Sequence, residues 1–173
     1  GKAHITGAEQ AKNWEKVDGD VYVARFPNKF FGDYNPFTTL VSGDWYIATI
    51  IAHTGDVFLN GKSMYEVTSL DEVKNPVVNK SSWDPNFTVY TWYTEQDEKS
   101  DETVIYANFQ GRNPNEEDVE ISVRRHCFYP EAEGISYITL SGFTVSKAAT
   151  QWAPPTAYQE GMIGPHWSQG WVI

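Results

Sequence analysis

The sequence contains very little cysteine and no cluster of metal-binding side chains. Cys127 is the only cysteine, so no internal disulfide can form. Its strand-like surroundings favour a small buried side chain over a reactive thiol. The four histidines show no short paired spacing, and the sequence contains neither a phosphate-binding glycine loop nor a His-Glu-x-x-His motif. We therefore expect no metal and no cofactor.

Basic residues are also scarce. The chain has 13 Lys and Arg against 23 Asp and Glu, a formal net charge of −10. Such a chain repels polyanions, so we expect no nucleic-acid partner and no membrane partner. No apolar run is long enough to span a bilayer, and no signal-peptide pattern opens the chain. A cytoplasmic location is the default expectation, with a signal peptide already removed as the alternative.

Aromatic and turn-forming residues are abundant instead. Phe, Trp and Tyr make up 15% of the chain, and it contains 13 Gly and 9 Pro, which favours an all-β fold with many turns. Asn60-Gly61 predicts a tight hairpin, and Asp18-Gly19-Asp20 predicts another turn. The capping-box spacing of Ser69 and Glu72, followed by Pro76, predicts one short helix. Strands are predicted over residues 20–26, 45–53 (buried and central), 56–59, 62–67, 87–94 and 103–109.

The pattern changes after residue 118. Apolar residues at 119, 121 and 123 alternate with polar residues at 120, 122 and 124, which predicts one buried and one exposed face. A similar strand is predicted over residues 137–145 and another from residue 170. Repeated strands indicate coils of a parallel β-solenoid, although an antiparallel sandwich would give the same pattern. Because the last apolar run has no turn or polar tail behind it, we expect a piece of a larger protein.

Several stretches resemble a known arrangement. Residues 4–10, 57–62, 119–128 and 137–145 resemble a right-handed parallel β-helix that carries an inserted β-sandwich. More specifically, Phe30-Phe31-Gly32-Asp33-Tyr34-Asn35-Pro36-Phe37 and the stretches 151–156 and 164–167 resemble β-xylosidases of glycoside hydrolase family 120. The resemblance implies an early β-helix coil over 1–10, an inserted sandwich over 11–118, and truncated first coils of the main β-helix over 119–173.

The same resemblance implies a function. Members of that family remove xylose from short xylo-oligosaccharides with retention, and their paired carboxylates lie on later coils of the β-helix. We therefore expect a glycosidase parent that binds a small oligosaccharide and possible self-association of that parent. This chain would supply part of the pocket wall, with no catalytic residue of its own.

Candidate sugar-binding residues follow from the shape of a pyranose, whose apolar faces stack on aromatic rings while polar groups bind its hydroxyls. Two alternatives stay open for three of them. Trp45 is either a substrate contact or a core residue, Asp33 either a turn former or a hydroxyl contact, and His166 either a hydroxyl contact or a partner of a loop carbonyl. The predicted substrate-binding residues are Trp45, Trp152, His166, Trp167, Asp33 and Tyr34. Ordinary packing is expected for Trp14, Trp83, Trp92 and Trp171.

A second hypothesis is a non-catalytic β-sandwich module that binds carbohydrate or mediates oligomerisation. Such a module needs an exposed aromatic strip on one sheet, and Trp83, Tyr90, Trp92 and Tyr93 could supply it. The sequence leaves open which sugar the parent prefers among xylose, arabinose and glucose.

Overall fold

Eleven β-strands and one short α-helix form the computed structural model, which describes residues 3–46 and 51–173. The strands are β1 (Ala3–Thr6), β2 (Ala8–Gln10), β3 (Glu15–Asp18), β4 (Val21–Pro27), β5 (Val57–Leu59), β6 (Lys62–Ser63), β7 (Tyr65–Glu66), β8 (Thr91–Asp97), β9 (Glu102–Asn108), β10 (Val119–Ser122) and β11 (Phe143–Ser146). Helix α1 spans Leu70–Lys74, and 3-10 turns span Asn28–Phe31 and Pro85–Phe87. The predicted all-β class is confirmed.

Two sheets enclose the core as a sandwich. One has the order β2-β10-β5-β6 and the other the order β3-β4-β9-β8-β7. Val57 and Ile121 of the first sheet and Trp92, Ile105 and Ala107 of the second belong to one buried cluster. Each of these side chains is at most 1% exposed, so the two inner faces form a dry apolar interior.

Local signals placed most turns correctly. Antiparallel β5 and β6 flank Asn60-Gly61, and β3 and β4 flank the Gly19-Asp20 turn, as predicted. Ser69 caps α1 by accepting a hydrogen bond from the Glu72 N–H at 3.3 Å. The strand predicted over 62–67 is instead two strands in different sheets, since β6 pairs with β5 whereas β7 pairs with β8.

The strand predicted over 45–53 is only partly testable. Residues 47–50 lie outside the described residues. At the described ends, Trp45 lies in a turn, Ile51 is 60% exposed, and His53 makes one isolated bridge with Leu40. The prediction of a buried strand is therefore wrong at both described ends.

Strand positions after the helix shift by a few residues. Residues 85–87 form a 3-10 turn where the strand 87–94 was expected, and β8 instead runs on to Asp97. The predicted strand 103–109 appears as β9, displaced by one residue. The strand predicted over 137–145 is confirmed only at its end as β11, while Thr139 makes a single bridge.

The predicted exposed face of β10 is wrong. Glu120 is 9% exposed and Ser122 is 1% exposed, so both faces of the strand are covered. The reason is that the chain around Lys147 forms a second layer over this face of the sheet. Lys147 forms an ion pair with Glu120, and its Nζ lies 5.3 Å from the centre of the Phe58 ring. A side chain 27 residues downstream thus neutralises a carboxylate that sequence alternation assigned to solvent.

Parallel pairing characterises the rest of the chain. β1 pairs with β11 in parallel, and parallel bridges join Phe128 to Ile163 and Thr139 to Val172. This excludes antiparallel pairing at these three places. The β-helix expected here and the boundaries at residues 10 and 118 stay predictions. β10 nevertheless hydrogen-bonds to both β2 and β5, so one sheet crosses both expected boundaries.

The four tryptophans assigned to packing have different environments. Trp14 and Trp92 are buried, as predicted, and Trp171 packs edge-to-face on Phe128. Trp83 is 89% exposed, so the packing predicted for it is wrong. Among the described residues, no helix is long and apolar enough to cross a membrane.

Candidate functional site

A cavity of about 350 Å³ lies between residues 34–42 and 54 of the sandwich and the 125–160 segment. Its wall combines hydroxyl, amide and charged side chains with the apolar side chains of Leu40 and Ala149. The lining residues are Tyr34, Thr39, Leu40, Ser42, Thr54, Arg125, Ala149, Thr150, Gln151, Tyr158 and Glu160. Because two distant parts of the chain build this wall, only the folded protein contains the cavity.

Tyr34 joins these two parts. Its hydroxyl donates a hydrogen bond to the Ala149 carbonyl at 2.6 Å and lies 2.7 Å from the Thr54 hydroxyl. Burial raises the pKa of the Tyr34 phenol, with the Thr54 hydrogen bond acting in the opposite direction. Tyr34 follows the 3-10 turn at 28–31, and the next residue, Asn35, fixes the loop by accepting the Phe37 N–H at 2.9 Å.

Arg125 and Glu160 form a bidentate ion pair on the cavity wall. Nε of Arg125 donates to Glu160 at 2.7 Å and its NH2 group donates at 2.9 Å. The guanidinium lies 5.8 Å from the centre of the Tyr34 ring. Nε2 of His126 lies 3.3 Å from Oε2 of Glu160, the oxygen that also accepts the hydrogen bond from Nε of Arg125. A bidentate pair fixes the arginine in one orientation and leaves its remaining N–H groups available to a ligand.

A tyrosine-histidine network continues from this ion pair. Tyr129 stacks on His126 at a centroid distance of 4.1 Å. Its hydroxyl is hydrogen-bonded to the Tyr158 hydroxyl at 2.7 Å and to Nδ1 of His166 at 3.0 Å. Burial, followed by the hydrogen bond to Tyr158, raises the pKa of Tyr129 to about 12. Tyr129 therefore stays a neutral phenol that orients Tyr158 on the cavity wall.

Two indoles meet at the rim. Trp45 and Trp152 pack edge-to-face with ring centroids 4.8 Å apart. Trp152 is 64% exposed, so most of its ring remains accessible. The preceding Gln151 binds the backbone of Ser42 through both ends of its amide, with Nε2 donating to the Ser42 carbonyl at 2.9 Å and Oε1 accepting the Ser42 N–H at 3.2 Å.

The predicted site residues fall into two groups. Tyr34 lines the cavity, and Trp152, which contacts Trp45, directly follows the lining residue Gln151, although neither indole is itself a lining residue. Asp33 is exposed, lies in a turn as one of its two alternatives predicted, and is not among the lining residues, while Asn35 makes the side-chain bond to the backbone two residues on. His166 bonds to Tyr129, which neither alternative for it anticipated, and Trp167 is 78% exposed outside the lining. The substrate-binding roles themselves stay predictions.

Sequence reasoning missed Arg125, Gln151, Tyr158 and Glu160 as site residues. Arg125 and Glu160 are 35 residues apart, and Gln151 and Ser42 are 109 apart. No local spacing signals such pairs, because each depends on how distant segments pack. The one usable signal was the aromatic and proline-rich stretch 151–156, which carries Gln151.

The wall suits a neutral, hydroxyl-rich ligand. Among its described lining residues, the only carboxylate is Glu160, which is ion-paired to Arg125. Retaining glycoside cleavage needs two carboxyl groups about 5 Å apart, which this lining does not provide. Within residues 3–46 and 51–173, no group of three or more His, Cys, Asp or Glu side chains is arranged to hold a metal ion.

Comparisons with known proteins place the chain among glycoside hydrolase relatives. A family model described as "Glycoside hydrolase 120, insertion domain" matches residues 11–121. A solved structure titled "The complex structure of XylC with xylose" is 48% identical over 98% of the chain, with a TM-score of 0.92. The chain spans 28% of the length of that structure's chain. A search of curated proteins found no match.

Proposed function

The chain belongs to glycoside hydrolase family 120, and we propose that it forms one wall of the xylose-binding pocket of a β-xylosidase-like enzyme. The observation that carries this proposal is the polar cavity beside the Trp45–Trp152 pair, in a chain that is 48% identical to a structure solved with xylose. A pyranose presents one apolar face to an indole while hydroxyl, amide and guanidinium groups bind its rim.

Each part of the wall has a role in this proposal. The exposed ring of Trp152 is the stacking platform, supported by its perpendicular contact with Trp45. The guanidinium of Arg125, held in place by Glu160, donates to a sugar hydroxyl, and the Tyr158 hydroxyl binds a neighbouring one. None of these contacts needs a charge on the ligand, which fits a neutral xylo-oligosaccharide.

We further propose that the parent enzyme cleaves with retention and that its catalytic carboxylates lie outside this chain, on later coils of a parallel β-helix. The described wall contains a single carboxylate, Glu160, which is ion-paired, and this supports placing the catalytic carboxylates outside the chain. The parallel pairing of β1 with β11 and the bridges at Phe128 and Thr139 support a β-helix scaffold. A family relationship and a share of 28% of the XylC chain are consistent with a partial active site.

Calorimetric titration with D-xylose tests the binding role. Trp152→Ala is expected to weaken xylose binding roughly three- to tenfold, the equivalent of one lost aromatic stacking contact. Trp83→Ala is the matched control, because it removes another largely exposed indole, one that does not adjoin a lining residue as Trp152 adjoins Gln151. Equal losses in the two variants, or no binding to the unmodified chain, would contradict the proposed pocket.

Hydrolysis of 4-nitrophenyl β-D-xyloside tests whether the catalytic carboxylates lie outside this chain. We expect no turnover by this chain and clear turnover by a longer protein that continues beyond residue 173, with β-xylose as the first product by NMR. Turnover by the chain alone would place a catalytic pair within it. An initial α-anomer from the longer protein would contradict retention.

The module hypothesis finds less support. Trp92 is 1% exposed and Tyr90 stacks on Phe87 with centroids 4.6 Å apart, so the aromatic strip expected from Trp83, Tyr90, Trp92 and Tyr93 does not form. The described sandwich therefore does not present the coplanar platform that a carbohydrate-binding module requires on that sheet.

A further inference from the structure

We infer that Gln151 is a positioning residue. Its side-chain amide makes two hydrogen bonds to the backbone of Ser42, which we call the clasp, and the clasp sets the orientation of the Trp152 indole beside the cavity. This inference rests on the proposed function, since it assigns Trp152 the stacking role. Gln151 belongs to the 125–160 segment and Ser42 to the sandwich loop, so the clasp joins the two walls of the cavity.

The clasp has the hydrogen-bond pattern of two paired residues in neighbouring β-strands. The Gln151 amide donates to the Ser42 carbonyl and accepts from the Ser42 N–H, so both polar backbone groups of one residue are satisfied by one side chain. Two hydrogen bonds from one rigid amide fix a plane, whereas a single bond would leave rotation about its axis. The backbone at residue 151 is thereby held in one position relative to the loop.

A second hydrogen bond restrains the same segment two residues before Gln151. The Tyr34 hydroxyl holds the Ala149 carbonyl at 2.6 Å, two residues before Gln151. Residues 149 and 151 are therefore both tied to the sandwich, directly before Trp152. The indole contacts Trp45 edge-to-face at 4.8 Å and 89°, an arrangement that depends on the relative placement of the two backbones.

The chain itself offers an isosteric test. Gln151→Glu keeps the size of the side chain, but its carboxylate cannot donate to the Ser42 carbonyl, and the two oxygens repel each other. Below about pH 4.3 the glutamic acid becomes protonated and can again donate one hydrogen bond and accept another. Gln159→Glu is the matched control, because Gln159 is exposed and its side chain makes no hydrogen bond to the described residues.

The readout is fluorine NMR of the 5-fluorotryptophan-labelled chain, in which Trp→Phe variants assign the Trp45 and Trp152 signals. In Gln151→Glu near pH 7, we expect both signals to shift as the edge-to-face contact is lost, while the buried Trp14 signal stays in place. Near pH 4 the two signals should return toward their unmodified positions. Gln159→Glu should show neither change.

Xylose titration of the same samples connects the clasp to binding. We expect the Kd for xylose to rise roughly tenfold in Gln151→Glu near pH 7, the equivalent of one lost hydrogen bond, and to recover near pH 4. Unchanged Trp45 and Trp152 signals would overturn the inference, as would shifted signals with unaltered xylose affinity. If the unmodified chain does not bind xylose, the proposed function fails, and the NMR signals still decide whether the clasp orients Trp152.

Discussion

Asp56 lies directly before β5, where burial raises the pKa of its carboxyl from 3.8 to about 7. The Ser63 hydroxyl and the Val57 N–H both donate to this carboxyl and oppose the rise, whereas the charge of nearby Glu66 adds to it. Desolvation of the charged form outweighs the two hydrogen bonds. The folded protein therefore binds a proton at Asp56 that the unfolded chain releases at lower pH.

This difference makes the folded state less stable as the pH rises. Between about pH 4 and pH 7 the folded state holds more protons than the unfolded state, so the free energy of unfolding falls with increasing pH. The contribution of Asp56 is fully present below pH 3.8 and lost as the pH rises through about 7. A shift of about 3 pH units corresponds to about 4 kcal/mol of unfolding free energy.

The Asp56→Asn variant removes the titration and keeps the shape. The asparagine carbonyl can still accept the Val57 N–H, and no charge has to be buried at high pH. We expect the variant to match the unmodified protein near pH 4 and to exceed it by about 2–4 kcal/mol near pH 8. Urea unfolding followed by tryptophan fluorescence at both pH values measures this difference.

Asp20→Asn provides the control, since Asp20 is exposed and undergoes the same chemical change. Comparing variant with unmodified protein at each pH cancels the titration of the remaining carboxylates. A stability difference for Asp56→Asn that stays constant from about pH 4 to about pH 8 would refute the reasoning. So would a larger pH dependence in the Asp20→Asn control.

Two further predictions concern the second layer over β10. Lys147→Met leaves Glu120 buried without its ion-pair partner and is expected to lower the free energy of unfolding by about 3–5 kcal/mol. Adding Glu120→Gln should restore much of that loss in urea unfolding, and a double variant as unstable as the single one would contradict the ion-pair explanation. Gly7→Ala places a methyl group 2.4 Å from Cα of Ala148, so we expect a loss of about 1–3 kcal/mol. It should also speed amide exchange near residue 148, and unchanged exchange there would show that the layers do not pack this closely.

Features that depend on a few neighbouring residues were predictable from the sequence. The Asn60-Gly61 hairpin formed because both residues adopt positive φ angles, 52° and 79°, which a tight turn of this kind requires. The short helix formed at Ser69 because its side chain satisfies a free N–H three residues later. These effects act within one turn of chain and do not depend on the rest of the fold.

The candidate site was predictable only in part. The aromatic stretches that carry Tyr34, Trp45 and Trp152 stood out in the sequence, and all three lie at or beside the cavity. Arg125 and Glu160 did not stand out as a pair, because an ion pair between residues 35 apart leaves no local pattern. The aromatic character of the rim was thus visible in the sequence, whereas the polar wall was not.

The sequence by itself determined the all-β class, the turns, the single helix and the family resemblance, because backbone preferences and short motifs are local properties of the chain. Tertiary structure decided which faces are buried and which side chains meet. It placed Lys147 over Glu120, left Trp83 in solvent, and brought Gln151 to Ser42 across 109 residues. Burial and pairing depend on the packing of distant segments, so the physical environment of each charged or aromatic residue is fixed only when the chain folds.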